Sequence, residues 1–149
     1  MREGFDMGEL DVFTNRLIQT SKGADKKQRK FLRQQGSKLA RKTRAKARAK
    51  VNKTEVIRKK YTREAGQYHK SIKRGKLVVR GTDRYIRVYS NDKIAHLIED
   101  GWTPKLRNGR KGSFQNGKHV FEETRKAFES EFEDACEDFL DEVANNICK

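Results

Sequence analysis

Three histidines, two cysteines and a cluster of carboxylates near the C-terminus are the side chains with which this sequence could do chemistry. His69, His96 and His119 stand 27 and 23 residues apart, with none of the HExxH or Cys/His spacings that bring imidazoles onto one metal. Cys136 and Cys148 are 12 positions apart, which makes neither a disulfide framework nor a zinc-ligand pair, and both are expected as free thiols. A nucleophilic Cys136 would need a histidine partner in an electropositive setting. It falls instead on the apolar stripe of an acidic helix. Glu129, Glu131, Glu133, Asp134, Glu137, Asp138 and Asp141 recur at helical spacing, the pattern of a solvated or docking surface. Gly109, Gly112 and Gly117 lie among Lys and Arg and do not join a strand to a helix as a phosphate-cradling loop does. The expectation is a protein that is not an enzyme, with no catalytic residue, cofactor or metal.

Charge is the stronger signal. The 149 residues hold 36 Lys and Arg against 21 Asp and Glu, a net charge of +15, and 34% of the chain is apolar. That bounds it to one modest domain over 1–149, or one domain plus an arm. The longest aliphatic run, Leu77-Val78-Val79, is far too short to cross a bilayer, so no membrane partner is expected. No export signal is read at the N-terminus, where acids stand among the first residues and no apolar segment follows. By segment the net charge is −2 over 1–21, +20 over 22–80, +4 over 81–119 and −7 over 120–149. The acidic end offsets only part of the basic block, leaving positive potential for a polyanion or a neighbouring copy.

The elements that carry these charges follow from periodicity. Asp6 with Glu9 fits an N-cap, and Met7, Leu10, Phe13, Leu17 and Ile18 predict a short amphipathic helix ending near Gly23. Residues 24 to about 52 are rich in Lys, Arg, Gln and Ala and predict a long helix. Its thin apolar seam runs through Leu32, Gly36, Leu39, Thr43 and Ala47, widened by Phe31 and Ala40, with Gly36 the place for a bend or a close contact. Residues 53–67 read as a connector with a turn at Arg63-Glu64-Ala65-Gly66. Strand chemistry is expected from Tyr68, through Leu77-Val78-Val79 and Tyr85-Ile86-Arg87-Val88-Tyr89, as two or three antiparallel strands punctuated at Gly75 and Gly81. Residues 94–99 fit a further strand or a short helical turn. Residues 101–119, with four glycines and Pro104, predict a flexible loop and an interaction element. Phe121, Phe128, Phe132, Ala135, Cys136, Phe139, Leu140, Val143 and Ile147 then predict a long helix.

The fold class is therefore α+β: long N-terminal helices, a small antiparallel sheet, and a long C-terminal helix packed on it. The expected layout is a helical basic arm over 1–60, a sheet over 68–100, the loop over 101–119 and an acidic amphipathic helix over 120–148. On the basic helix, Lys30, Arg33, Lys38, Arg41, Lys42, Arg44, Lys46 and Arg48 are candidate contacts to DNA or another polyanion, gripping phosphates without reading sequence. The alternative is that the same face is solvated and contacts the acidic final helix.

Gln67-Tyr68-His69-Lys70-Ser71-Ile72 before a basic strand, Tyr89-Ser90-Asn91 leading to Ile94-Ala95-His96-Leu97-Ile98-Glu99-Asp100-Gly101, then a glycine-rich loop and a long terminal helix resemble the minor structural proteins of the tailed-bacteriophage head-tail joint. The likeness covers about residues 8–147 and rests on short motifs in a fixed order. Ala65-Gly66 stands where that family usually has Thr-Gly, and the proline often found before it is missing. The resemblance implies a virion protein, made in the host cytoplasm, that forms a ring, usually of six copies and alternatively twelve, between portal and tail tube. Implied partners are itself, portal, adaptor or neck proteins, tail-tube or tail-terminator proteins, and packaged DNA. Neck joining and tail completion both fit. Trp102, Arg107, Arg110, Phe114, Glu133, Glu137 and Asp141 are the candidate subunit contacts. A soluble nucleic-acid-binding protein using the basic helix is the other reading.

Overall fold

The computed structural model describes residues 8–58, 61–81 and 83–147 of the chain. Asp6 and Met7 of the expected N-terminal cap, and Cys148, lie outside the described residues, as do the side chains of Leu10, Phe13, Leu17 and Ile18. One helix, α1 (Gly8–Lys50), replaces the two expected helices. Gly23 does not end it: a glycine costs only about 1 kcal/mol inside a helix, and no competing turn residue stands beside it. By helical rise the 43 residues of α1 span about 65 Å.

Two short strands follow in the segment expected as connector, β1 (Val56–Arg58) and β2 (Tyr61–Arg63), paired antiparallel. Tyr68 to Ser71, expected as strand, belongs to the helix α2 (Gln67–Ser71), entered from Gly66 in the left-handed region at φ 75°. Glycine, with no Cβ, turns there at no steric cost. The hairpin β3 (Ile72–Arg80) and β4 (Asp83–Ser90) comes next. One extra residue on β3 between Arg74 and Leu77 makes a bulge. Gly75 admits it, since a Cβ there would meet the Arg87 carbonyl at 3.2 Å. The bulge keeps Leu77 and Val79 on the face shared by Ile72, Ile86 and Val88, toward α1.

Residues 95–100 form a short helix, α3 (Ala95–Asp100). The expected loop contains β5 (Gly101–Trp102) paired with β6 (Gln115–Asn116), with a further bridge between Lys105 and Lys111. The chain ends in α4 (Val120–Ile147).

α1 packs against α4 on one side and the β3–β4 hairpin on the other. The two long helices run antiparallel, because Lys27 pairs with Glu142 while Lys50 pairs with Glu123. The first of these pairs sits at Lys27, so by helical rise about 20 Å of α1 extends past the last turn of α4. Ala40, Thr43 and Ala47 of the expected seam are buried. Gly36 resolves as a close contact and not a bend: a Cβ there would lie 2.7 Å from Ile86 Cγ2. The main core joins Ala47, Tyr68, Ile72 and Val120, with Val51, Val88, Ile98 and Phe121 packed around it. Phe31 stacks on Phe139 with ring centroids 4.8 Å apart, closing the far end of the α1–α4 seam.

Polar groups lock the irregular part. Arg63 Nη2 donates to Asp92 Oδ2 at 2.6 Å in a buried pair, and Asp92 Oδ1 accepts from the Ile94 N–H. His69 Nε2 lies 2.9 Å from the Val51 carbonyl and 3.2 Å from that of Ala47, so it carries the proton and donates to the C-terminal end of α1. The Tyr68 phenol is pushed up to about 12 by burial, with Glu99 and Asp92 adding to the effect.

Candidate functional site

Lysines 38, 42, 46 and 50 recur every four residues on α1, a like-charge row that would repel itself in an isolated helix. α4 answers with two carboxylates eight residues apart. Glu131 takes Lys38 and Lys42, and Glu123 takes Lys46 and Lys50. The lysines hold both carboxyls below the ordinary carboxylate range, Glu123 at about 2 through Lys50 and Lys46, Glu131 through Lys38 and Lys42. Lys27 does the same to Glu142. Lys42 also lies over the Phe128 ring, 5.5 Å from its centroid.

Of the eight candidate polyanion contacts, the structure thus turns Lys38, Lys42 and Lys46 toward α4, and Arg44 is half-buried. Lys30, Arg33, Arg41 and Arg48 are exposed. A cleft between α1 and β3 gathers Lys30, Arg33, Lys38 and Arg41 with Arg74, which donates to the Arg33 carbonyl at 3.3 Å. Its other lining residues are Gln34, Gln35 and Ser37, with no carboxylate among them. Arg74 is a member that sequence reasoning missed, because only the packing of β3 beside α1 brings it there.

The opposite face of α4 is its complement. Glu129, Glu133, Glu137 and Asp141 form a second row at intervals of four, all exposed, and none makes an ion pair among the described residues. Leu140 stands beside this row at 63% exposure. Cys136 is half-buried on the same helix, and burial followed by the nearby Glu133 pushes its thiol up, away from the reactive thiolate.

The 101–116 hairpin carries the remaining candidates. Gly101 (φ 91°) must be glycine, since a Cβ would strike the Gln115 carbonyl and Phe114. A Cβ on Gly117 would strike the Glu99 carbonyl. These glycines fold the segment tightly against α3 and leave its apolar side chains outside. Trp102, Leu106 and Phe114 are 47%, 49% and 58% exposed. Lys105, Arg107, Arg110 and Lys111 are exposed around them, and no acid occurs between Asp100 and Glu122. Leu106 was not among the sequence candidates, although its place between Lys105 and Arg107 in a basic loop was a usable signal. The structure therefore brings Trp102, Arg107, Arg110 and Phe114 together on one hairpin, and places Glu133, Glu137 and Asp141 on a different surface.

Glu99 links the two regions. Its carboxylate accepts from the backbone N–H groups of Phe121 and Glu122 at 2.9 Å, capping α4 from α3. His69 lies on α2, His96 on α3 and His119 just before α4, and among the described residues no group of three or more His, Cys, Asp or Glu is placed to hold a metal. No described helix is long and apolar enough to cross a membrane.

Comparison with known protein families gives a match, over residues 11–101, to the family described as "Bacteriophage HK97-gp10, putative tail-component". It runs from residue 11, within α1, to the first residue of β5, so the rest of the exposed hairpin and α4 lie beyond it. Neither the curated proteins nor the solved structures include a match to the chain.

Proposed function

The chain belongs to the HK97-gp10-like family of bacteriophage tail components, and on that premise we propose that it is a non-enzymatic assembly protein, a head-tail joining or tail-completion subunit. A tail component resides in the virion and contacts other virion proteins. In the finer reading the subunits form a ring, of six or twelve copies, around the DNA path. Portal, adaptor or neck proteins lie on one side of it, and tail-tube or tail-terminator proteins on the other.

The observation that carries this reading is the imbalance between what the protomer buries and what it leaves exposed. Six apolar residues are buried among the described residues, while nine large ones, from Ile57 at 74% to Trp102, Phe114 and Leu140, remain exposed. Three of the nine, Trp102, Leu106 and Phe114, share the 101–116 hairpin, and exposed apolar side chains gathered on one segment with a charged rim mark a protein contact. Two charged surfaces of opposite sign accompany them, which suits a head-to-tail contact that closes on itself.

A second reading, direct contact with DNA or RNA, is favoured by the α1–β3 cleft. Lys30, Arg33, Arg41 and Arg74 line it without a carboxylate, and along α1 they span about 16 Å, enough for two or three phosphates.

Size-exclusion chromatography with light scattering at several salt concentrations, with and without duplex DNA, tests the two. A DNA-independent ring that loosens with salt supports assembly. A monomer that binds DNA with a steep salt slope overturns the ring and favours the second reading.

A further inference from the structure

Two rows of like charge run along the long helices, and the fold treats them differently. The lysine row of α1 has its counter-charges inside the protomer, on Glu123 and Glu131. The acidic row of α4, Glu129 to Asp141, has none among the described residues, so its repulsion at intervals of four persists in the isolated chain. The same chain holds a surface with the opposite need. The 101–116 hairpin shows four cations and no acid, set around exposed Trp102, Leu106 and Phe114. No ion pair joins the two surfaces within one protomer among the described residues.

We propose that the hairpin of one copy docks on the outward face of α4 of a second copy, its cations on the acidic row and its apolar side chains on Leu140. The argument is charge complementarity together with matched apolar centres, a desolvated middle ringed by charge. Because the two surfaces differ, each copy gives one and receives one, and the contact propagates around a closed set of subunits. This interface rests on the ring reading above and names the surfaces that would build it. It also gives the hairpin glycines a purpose: Gly101 and Gly117 hold the segment against α3, so the aromatic side chains are presented on a braced support.

Paired charge reversal tests it on the full chain. One variant carries Glu133→Lys, Glu137→Lys and Asp141→Lys, and the other carries Arg107→Glu, Arg110→Glu and Lys111→Glu. All six positions are exposed and lie outside the α1–α4 ion pairs, and unchanged helical circular dichroism checks that both variants fold. Each alone is expected to weaken self-association by roughly a hundredfold, since like charges then face each other at every contact. An equimolar mixture is expected to recover assembly, because each variant's hairpin then finds the opposite charge on the other's α4. A wild-type ring that both variants still form, or a mixture that stays dissociated, overturns this interface and leaves the ring reading standing. A wild-type chain that stays monomeric at high concentration and low salt overturns both.

Discussion

Glu99 grips the start of α4 through the Phe121 amide, its Oε1 2.9 Å and its Oε2 3.1 Å from that nitrogen. The carboxylate comes from the last turn of α3, so one side chain joins two helices and fixes the root of the hairpin between them. His119, at φ 46°, turns the chain into α4 but supplies no side-chain cap. The helix borrows one from 22 residues upstream. A charge at a helix N-terminus and a cap together predict that Glu99→Ala costs about 1–2 kcal/mol. Urea unfolding measures the loss. Hydrogen exchange should quicken first at the amides of Phe121 and Glu122.

The buried Arg63–Asp92 pair predicts a larger effect. Asp92 is 8% exposed and also holds the Ile94 amide, so Asp92→Ala leaves the Arg63 guanidinium without its counter-charge. A loss of roughly 3–5 kcal/mol is expected. In a domain with so few buried apolar residues, that is enough to show as a large drop in the urea midpoint.

Two glycines of one helix predict opposite outcomes. Gly23 has nothing within 4 Å of an added Cβ, and Gly23→Ala should gain about 0.5–1 kcal/mol from helix propensity. At Gly36 the methyl would press on Ile86 Cγ2, a branch fixed at its own Cβ, with Arg74 Cγ at 3.3 Å. Gly36→Ala should forfeit that gain, and Gly36→Leu should separate α1 from β4. Thermal unfolding of the three variants side by side decides it.

Acid should loosen the α1–α4 seam. Glu123, Glu131 and Glu142 have carboxyls lowered by their lysine partners in the folded chain, Glu123 to about 2. The unfolded chain therefore binds more protons between the ordinary carboxylate range and that value, and stability falls as pH drops through this window. The contribution is fully present above about pH 5. A thermal midpoint that declines between pH 5 and pH 2, with a smaller decline in Glu123→Gln, is the expected result. Added salt should flatten the curve, because the pairs are exposed.

Much of this frame was legible from residue types. The small stripe of Gly36, Leu39, Thr43 and Ala47 and the phenylalanines of α4 announced both long helices, and Tyr85 to Tyr89 announced a strand by alternation. What escaped had identifiable causes. Tyr68 to Ser71 alternates like a strand, yet Gly66 in the left-handed region turns the chain into a helical turn, where Tyr68, His69 and Ser71 are buried together. Val56 to Arg63 is rich in cations, which masked its β-branched residues. The division of the α1 cations into those paired with α4 and those turned away from it could have been suspected from the four-residue interval of Lys38 to Lys50. It still required knowing that Glu123 and Glu131 lie opposite. Arg74 joins Lys30, Arg33 and Arg41 only through tertiary packing, so no local pattern announces it.

Among the described residues, the portion of α1 beyond the end of α4 has no other helix beside it. Such a cantilever turns a slight tilt at the Phe31–Phe139 stack into a much larger sweep at its tip, so any neighbour holding the tip could sense, or set, the pitch of the whole subunit.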